Sequence, residues 1–366
     1  MKALAAILLS LAVAVPAHAG EKDKKKEKEK KEGKKDTGAS ADKLIKSGES
    51  AFLAGDLDGA LAIFKKAVKT YPDDARGYYY CGMVYTQKGC KDEAEKMYRA
   101  ALEKDPKLAE ALNNLSDILI DKKGFEEAEK LLKQALEIDP KYFEAQYNMG
   151  WLYEEWGKPP KAVDAYEKAS KIDTKDTDAL IAVAEIQAAR GEHEKAVEAY
   201  RKAIKRKSSL AALKIEIADL LVKLGKKEDA AAELEDLLSM ITISEGADLQ
   251  VPFKAARGLR LAGKPGRTIE ILEKFPAKAQ ETFSVQTEIG QCWMLLGKCS
   301  KAVKAFKKAQ KIKPDSPDIL LAIADALVCA KKCKDAKPFY QDFLKKIDPA
   351  DPRKKGIEKK LKSCKK

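Results

Sequence analysis

Residues 75–106 read ARGYYYCGMVYTQKGCKDEAEKMYRAALEKDP, and the fold follows from how this stretch alternates. Two amphipathic runs, Tyr78–Tyr85 and Cys90–Leu102, stand on either side of Gly89, and Pro106 closes the stretch. Helical periodicity on both sides of a glycine punctuator predicts a helix–turn–helix hairpin. Small residues at Gly82 and Ala94 let the two helices approach closely.

The same pattern recurs at a fixed interval along the chain. Gly48, Gly82, Ser116, Gly150, Ala184 and Ala218 are each 34 residues apart. Twelve residues beyond each of them stands Ala60, Ala94, Ala128, Ala162, Ala196 or Ala230. The intervening turns contain Gly55, Gly89, Gly124, Gly157, Gly191 and Gly225. After a four-residue insertion, 245–248, the register resumes at Ala256, Gly290 and Ala324, with Thr268, Ala302 and Ala336 as their partners. Larger residues such as Tyr98, Tyr166, Phe306 and Tyr340 are expected to fill the space between neighbouring units. A single hairpin cannot bury both of its apolar faces, so stability must come from stacking.

On these residues the chain resembles the tetratricopeptide repeat family. Tyr78, Cys81, Gly82, Tyr85, Gly89, Ala94, Tyr98, Ala101 and Pro106 meet almost every signature place of one unit. The resemblance implies an all-α fold, a right-handed α-solenoid superhelix of about nine 34-residue helix–turn–helix units, with a groove lined by the first helix of each pair. Units one to six are expected over 41–244 and units seven to nine over 249–350, with 245–248 as an insertion or hinge. The seventh unit departs most from the pattern, with Pro252 in its first helix and Thr268 in an alanine place.

Both ends lie outside the repeats. Met1-Lys2, the apolar run Ala3–Val15 and Ala17-His18-Ala19 have the form of a secretory signal, residues 1–19, cleaved after Ala19. The apolar run is shorter than the roughly 20 residues that span a bilayer as a helix, so the mature chain is expected to have no transmembrane span. A periplasmic or secreted location follows as an expectation. Residues 20–40 form a Lys/Glu-rich linker with almost nothing to bury and are expected to be disordered. Residues 351–366 form a basic cap or tail, in which Ile357 and Leu361 are spaced to dock on the last unit.

Charge follows this division. The 366-residue chain has a formal net charge of +13, but Lys2, 21–36 and 351–366 contribute +1, +3 and +6, leaving only +3 for Thr37–Ala350. No basic nucleic-acid surface is therefore expected. An anionic envelope polymer, acidic polysaccharide or peptidoglycan, touched by the lysine-rich ends is the alternative partner.

Little in the sequence suggests chemistry. The chain has two His, and removal of the leader would leave His193 alone. No phosphate loop, nucleotide fingerprint, zinc-protease helix or nucleophile elbow is present, so no catalytic residue, metal site or cofactor is assigned. Cysteine is more informative. Cys81 and Cys90, Cys292 and Cys299, and Cys329 and Cys333 form three local pairs, each straddling a turn. Export would permit these to be disulfides. Cys299 and Cys333 occupy equivalent places 34 residues apart and are a rival pairing. Cys364 is the odd thiol on the tail, either free or a link between two chains.

The resemblance also names a binding face. On the first helices of units two to four, the family's inward places hold Tyr79, Tyr80 and Met83, then Asn113, Asn114 and Asp117, then Tyr147, Asn148 and Trp151. Asparagine amides donate and accept together and so match an extended peptide's main chain. Aromatic rings add contact area at low entropic cost. The basic clamp used by relatives that bind chaperone tails is absent, since its places hold Ile45, Glu49, Tyr80, Glu110 and Asn114. These residues point to a non-catalytic scaffold that binds a protein or peptide partner in the cell envelope.

Overall fold

The computed structural model describes residues 28–363, with side chains from residue 40 onward. The leader 1–19, residues 20–27 of the linker and Cys364 lie outside the described residues. Among the described residues every regular element is a helix. None of these helices is long and apolar enough to cross a membrane.

The described residues divide into two compact units, the first ending at residue 183 and the second beginning at residue 184. In the first, the hairpins are α1 (Lys28–Leu53) with α2 (Leu57–Thr70), α3 (Ala75–Gln87) with α4 (Lys91–Lys104), α5 (Ala109–Asp121) with α6 (Phe125–Ile138), and α7 (Phe143–Glu155) with α8 (Pro159–Ile172). The division falls inside α9 (Asp178–Ala189). The second unit continues with α10 (His193–Arg206), a 3-10 turn Ser208–Leu213, α11 (Lys214–Lys223) and α12 (Lys227–Ser239). Beyond these come α13 (Gln250–Leu261), α14 (Pro265–Glu273), the short α15 (Ala277–Gln280), α16 (Phe283–Leu295), α17 (Cys299–Ile312), α18 (Pro317–Cys329), α19 (Cys333–Lys346) and α20 (Lys354–Ser363). The expected break at 245–248 is part of a loop, Ile241–Leu249, inside the second unit.

Close approach within each hairpin comes from the small residues. A Cβ built on Gly82 would stand 2.6 Å from the Tyr98 ring, and one on Gly150 would stand 2.6 Å from the Tyr166 ring. Gly48 and Gly290 face Phe64 and Phe306 in the same way. These large residues were expected between units, but they sit first of all within their own pair, each filling the space its glycine leaves. Where the first helix carries Ser116, the second carries the smaller Leu132, and both are fully buried. Thr268 keeps the alanine place in the seventh unit because its hydroxyl is satisfied, donating 2.8 Å to the Ala256 carbonyl. Pro252 is tolerated because it lies in the first turn of α13, where a helix has no N–H partner to lose.

Turns follow the glycines with two exceptions. Gly89, like most of its counterparts, takes the left-handed conformation, with φ of 76°. In the third unit Lys123 (φ 62°) takes this role rather than Gly124, and in the ninth Lys331 (φ 60°) does so. An L side chain is disfavoured there by roughly 1–2 kcal/mol. Lys123→Gly should therefore raise unfolding stability by about 0.5–1 kcal/mol, after allowing for glycine's larger entropy when unfolded. A urea titration of the variant, in which stability should rise, checks this.

Stacking between hairpins recurs in register. In the first unit, Lys88–Asp58 (2.6 Å), Lys91–Asp121 (2.5 Å) and Arg99–Glu127 (2.6 Å) join residues about one repeat apart. Such exposed pairs add little energy each, but they identify which helix ends meet.

The same register corrects the cysteine pairing. The disulfide is Cys299–Cys329, with Cα atoms 5.7 Å apart, and it joins the start of α17 to the end of α18. These positions are equivalent to Lys91 and Asp121, so one stacking contact is ionic early in the chain and covalent late in it. Cys81, Cys90, Cys292 and Cys333 are free thiols. The expected local pairs fail because Cys81 and Cys292 are buried in helix packing, while Cys299 and Cys329 bond each other across neighbouring hairpins and Cys90 stays at its own turn, near the Lys88 carbonyl. Burial pushes the Cys81 thiol up to about 11 and the Cys292 thiol up to about 12.

The N-terminal end also differs from expectation. Residues 28–40, assigned to a disordered linker, continue α1 toward the N-terminus. Lys and Glu are good helix formers, and a helix already nucleated by Ala41–Leu53 is extended at one hydrogen bond per residue. At the other end α20 buries Ile357 in the core formed by Ile319, Ile323, Tyr340 and Phe343, with Leu361 packed against it.

Candidate functional site

The nine residues of the expected binding face all lie in the first compact unit, on α3, α5 and α7. Successive first helices carry them at equivalent turns, so they form rows running from one hairpin to the next.

Two of the nine do not belong to the surface. Met83 and Asn113 are buried, at 6% and 5% exposure, and serve packing rather than an incoming ligand. The remaining seven are half-buried.

The asparagines are linked to one another. Asn148 donates through Nδ2 to Oδ1 of Asn113 at 3.0 Å, and Asn113 donates to Oδ1 of Asn114 at 3.2 Å. Asn114 in turn reaches the Tyr98 hydroxyl at 3.5 Å, and that hydroxyl lies 3.1 Å from the Thr86 hydroxyl. This series of side-chain bonds crosses from α7 to α5 to α4. Its cause is buried Asn113, whose amide needs partners once it is out of water. Asn148 keeps an acceptor oxygen and a second N–H unused among the described residues.

Aromatic residues surround the amides. Tyr80 stacks on Phe64 with centroids 4.9 Å apart and donates its hydroxyl to Glu49. Tyr79 meets Tyr80 edge-on at 5.2 Å and leans on Tyr98 at 6.0 Å. Tyr147 stands edge-on to Tyr166 at 5.0 Å and tilts against Phe143 at 5.9 Å. The Tyr166 hydroxyl donates to Glu154 at 3.0 Å. Burial raises the titration of Tyr79 and Tyr80 well above the usual phenol range, and the Glu49 carboxylate adds to the effect on Tyr80.

Carboxylates complete the face. Burial pushes Asp117 up to about 7, Asp121 adds to this, and Lys91 opposes it. Glu144 is also raised, by burial first and by the charges of Asp173 and Asp139 after it. Glu110 lies close enough to Tyr79, Tyr80 and Tyr142 for its charge to act on all three phenols.

The functional assignment from sequence had no place for Tyr98, Tyr142 or Glu144 on this face, and met Glu110 only at a place where the basic clamp is missing. Arg76, Glu110 and Glu144 are 34 residues apart, so following a further row of the repeat would have found the two acids. Tyr98 was read as a packing residue, and only the fold shows its hydroxyl at the amides.

Tetratricopeptide repeat family models match residues 51–118, 107–175 and 147–211. The CTR9 homolog of Arabidopsis thaliana is 33% identical over 73 residues, which are 20% of this chain and 7% of that protein. This chain thus spans about 7% of the length of that relative. The crystal structure of a tetratricopeptide repeat protein from Parabacteroides merdae aligns over 79% of this chain and 99% of its own, with 19% identity and a TM-score of 0.44. The pilF protein of Pseudomonas aeruginosa aligns over 56% of this chain and 93% of its own, with 22% identity and a TM-score of 0.47. With the signature met residue by residue, the hairpins stacked at a 34-residue interval and three family models matched, residues 51–211 of this chain are tetratricopeptide repeats.

Proposed function

We propose that this chain is a non-catalytic scaffold of the cell envelope that holds an extended protein segment against the first helices of its second, third and fourth repeats. Proteins of this family are generally protein-interaction scaffolds, and the finer assignment rests on one observation. The bonded series Asn148–Asn113–Asn114–Tyr98 runs from hairpin to hairpin and leaves Asn148 with an unused donor and acceptor. An extended peptide presents N–H and C=O groups along its length and fits such a row. Tyr79, Tyr147 and Trp151 would then take its side chains.

The envelope location rests on the form of residues 1–19 and on a disulfide, which persists in an oxidising compartment. The alternative of an acidic envelope polymer is not favoured. Among the C-terminal cations, Lys346, Arg353 and Lys360 are already paired with Asp315, Asp318 and Asp325.

The test is a screen of the full chain against a random library of dodecapeptides, followed by the Asn114→Ala/Asn148→Ala variant. Each lost amide interaction is worth about 1 kcal/mol, so affinity for the selected peptides should fall roughly ten- to thirtyfold. Helicity by circular dichroism should not change. Equal affinity of the variant would remove this site.

A further inference from the structure

The carboxylates of the first unit fall into two populations. On the stacking surfaces they meet cations of the chain itself: Asp58 meets Lys88, Asp121 meets Lys91, Glu127 meets Arg99 and Asp92 meets Lys122. On the first-helix face, Glu110, Asp117 and Glu144 have no ion pair among the described residues, although the chain has 71 Lys and Arg. The cations whose charge reaches this face are committed elsewhere. Lys91 is held by Asp121, and Arg76 by Asp42 and Asp74. Asp117 and Glu144 are desolvated with no ion pair among the described residues, and burial raises both.

The tryptophans make an independent second observation. Three occur in the chain. Trp156 is covered by Lys158, and Trp293 lies beneath Lys301 at 4.4 Å and Lys298 at 5.2 Å. Trp151 is half-buried on the binding face, one repeat beyond Asp117 in the same row, and has neither a cation over it nor a ring against it among the described residues. An uncovered indole is the strongest aromatic acceptor for a cation, and a desolvated carboxylate nearby adds to that attraction.

We propose that the segment bound by this face is basic: an extended stretch of a partner protein that places Lys or Arg side chains against Asp117, Glu144 and Trp151. This rests on the peptide-binding reading above and adds the chemistry of the partner. The amide row accepts the main chain, while the carboxylates and the indole select the side chains. Selection of this kind runs against the net charge of the whole chain, +13, which by itself attracts acidic peptides and repels basic ones. A preference for lysine must therefore arise locally.

The library screen of the full chain decides this. Selected dodecapeptides should be enriched in Lys and Arg. A synthetic peptide of alternating Lys and Ala should bind at least about tenfold more tightly than its Glu–Ala counterpart, in keeping with one to two favourable charge contacts. The Asp117→Asn/Glu144→Gln variant, which removes charge without removing volume, should abolish that preference. Trp151→Ala should weaken the Lys–Ala peptide about three- to tenfold. Glu198→Gln, at an exposed acid paired with Lys202 on the other compact unit, should change nothing.

Peptides selected without basic bias, yet lost in the asparagine variant, would leave the groove reading standing and overturn this one. No selected peptide at all would overturn both. Retention of the lysine preference by Asp117→Asn/Glu144→Gln would overturn the assignment of these carboxylates. Deleting residues 21–36, which removes only +3 of the net charge, should leave affinity essentially unchanged. A tenfold gain there would mean that the chain's own lysine-rich segment occupies the face, and would overturn the partner assignment.

Discussion

Arg260→Met should destabilise the second compact unit by about 3–5 kcal/mol, the usual cost of leaving a buried charge without its partner. Glu288 on α16 is only 5% exposed and receives the Arg260 guanidinium from α13, one hairpin earlier. The surroundings give it little else, since Cys292 on the next turn is buried as well. Methionine matches the arginine stem in length and apolar packing, so the loss isolates the charge. Urea unfolding followed by circular dichroism should show the drop, and amide exchange should accelerate first in α13 and α16. Adding Glu288→Leu should recover most of the stability, because a buried ion pair replaced by apolar residues is often neutral. A loss below about 1 kcal/mol in the single variant would mean that water reaches Glu288 and that the pair is ordinary surface charge.

Gly82→Ser should cost about 2–3 kcal/mol, and the reason tests the packing rule of the whole array. Its Cβ would stand 2.6 and 2.7 Å from two carbons of the Tyr98 ring, which is held in place by Thr86 and Asn114 at its hydroxyl. Neither ring nor helix moves aside without disturbing the next hairpin. The third unit already contains the compensated pair, Ser116 with Leu132. Tyr98→Leu alone should also destabilise, through lost volume and a freed Asn114 amide. The double variant Gly82→Ser/Tyr98→Leu should cost less than the two single changes added together, with a coupling of about 1–2 kcal/mol. Simple additivity in melts of the four proteins would show that glycine and ring do not share one space.

Both cases show what reading the chain in one dimension captures. The 34-residue interval, the small residues at Gly82 and Ala94 and the glycine turns arise from local rules. Helical periodicity, close approach and left-handed backbone each depend on residues within a few turns of one another. The hairpins were therefore legible from residues 75–106 outward. The positions on the expected binding face were legible for the same reason, because a repeat carries each face forward by a fixed step. The linker reading failed at residues 28–40 because low hydrophobicity predicts poor burial, not poor helicity, and a neighbouring nucleus extends such a stretch.

What the interval could not reveal was which residues of different hairpins meet. Sequence proximity made Cys329 and Cys333 look like partners, but stacking brings the start of one second helix to the end of the next first helix, and so Cys299 meets Cys329. In sequence, Asn114 and Asn148 stand one repeat apart as equivalent amides of the expected binding face. In the fold, Asn148 bonds the buried Asn113 instead and joins an existing series. Glu288 gave no sign of burial or of a basic partner until α13 and α16 were placed side by side. Periodicity repeats the local helix pair faithfully because every unit obeys the same short-range forces. Pairing, burial and the desolvation of Asp117 depend on the distance between neighbouring hairpins, which exists only once the units are stacked.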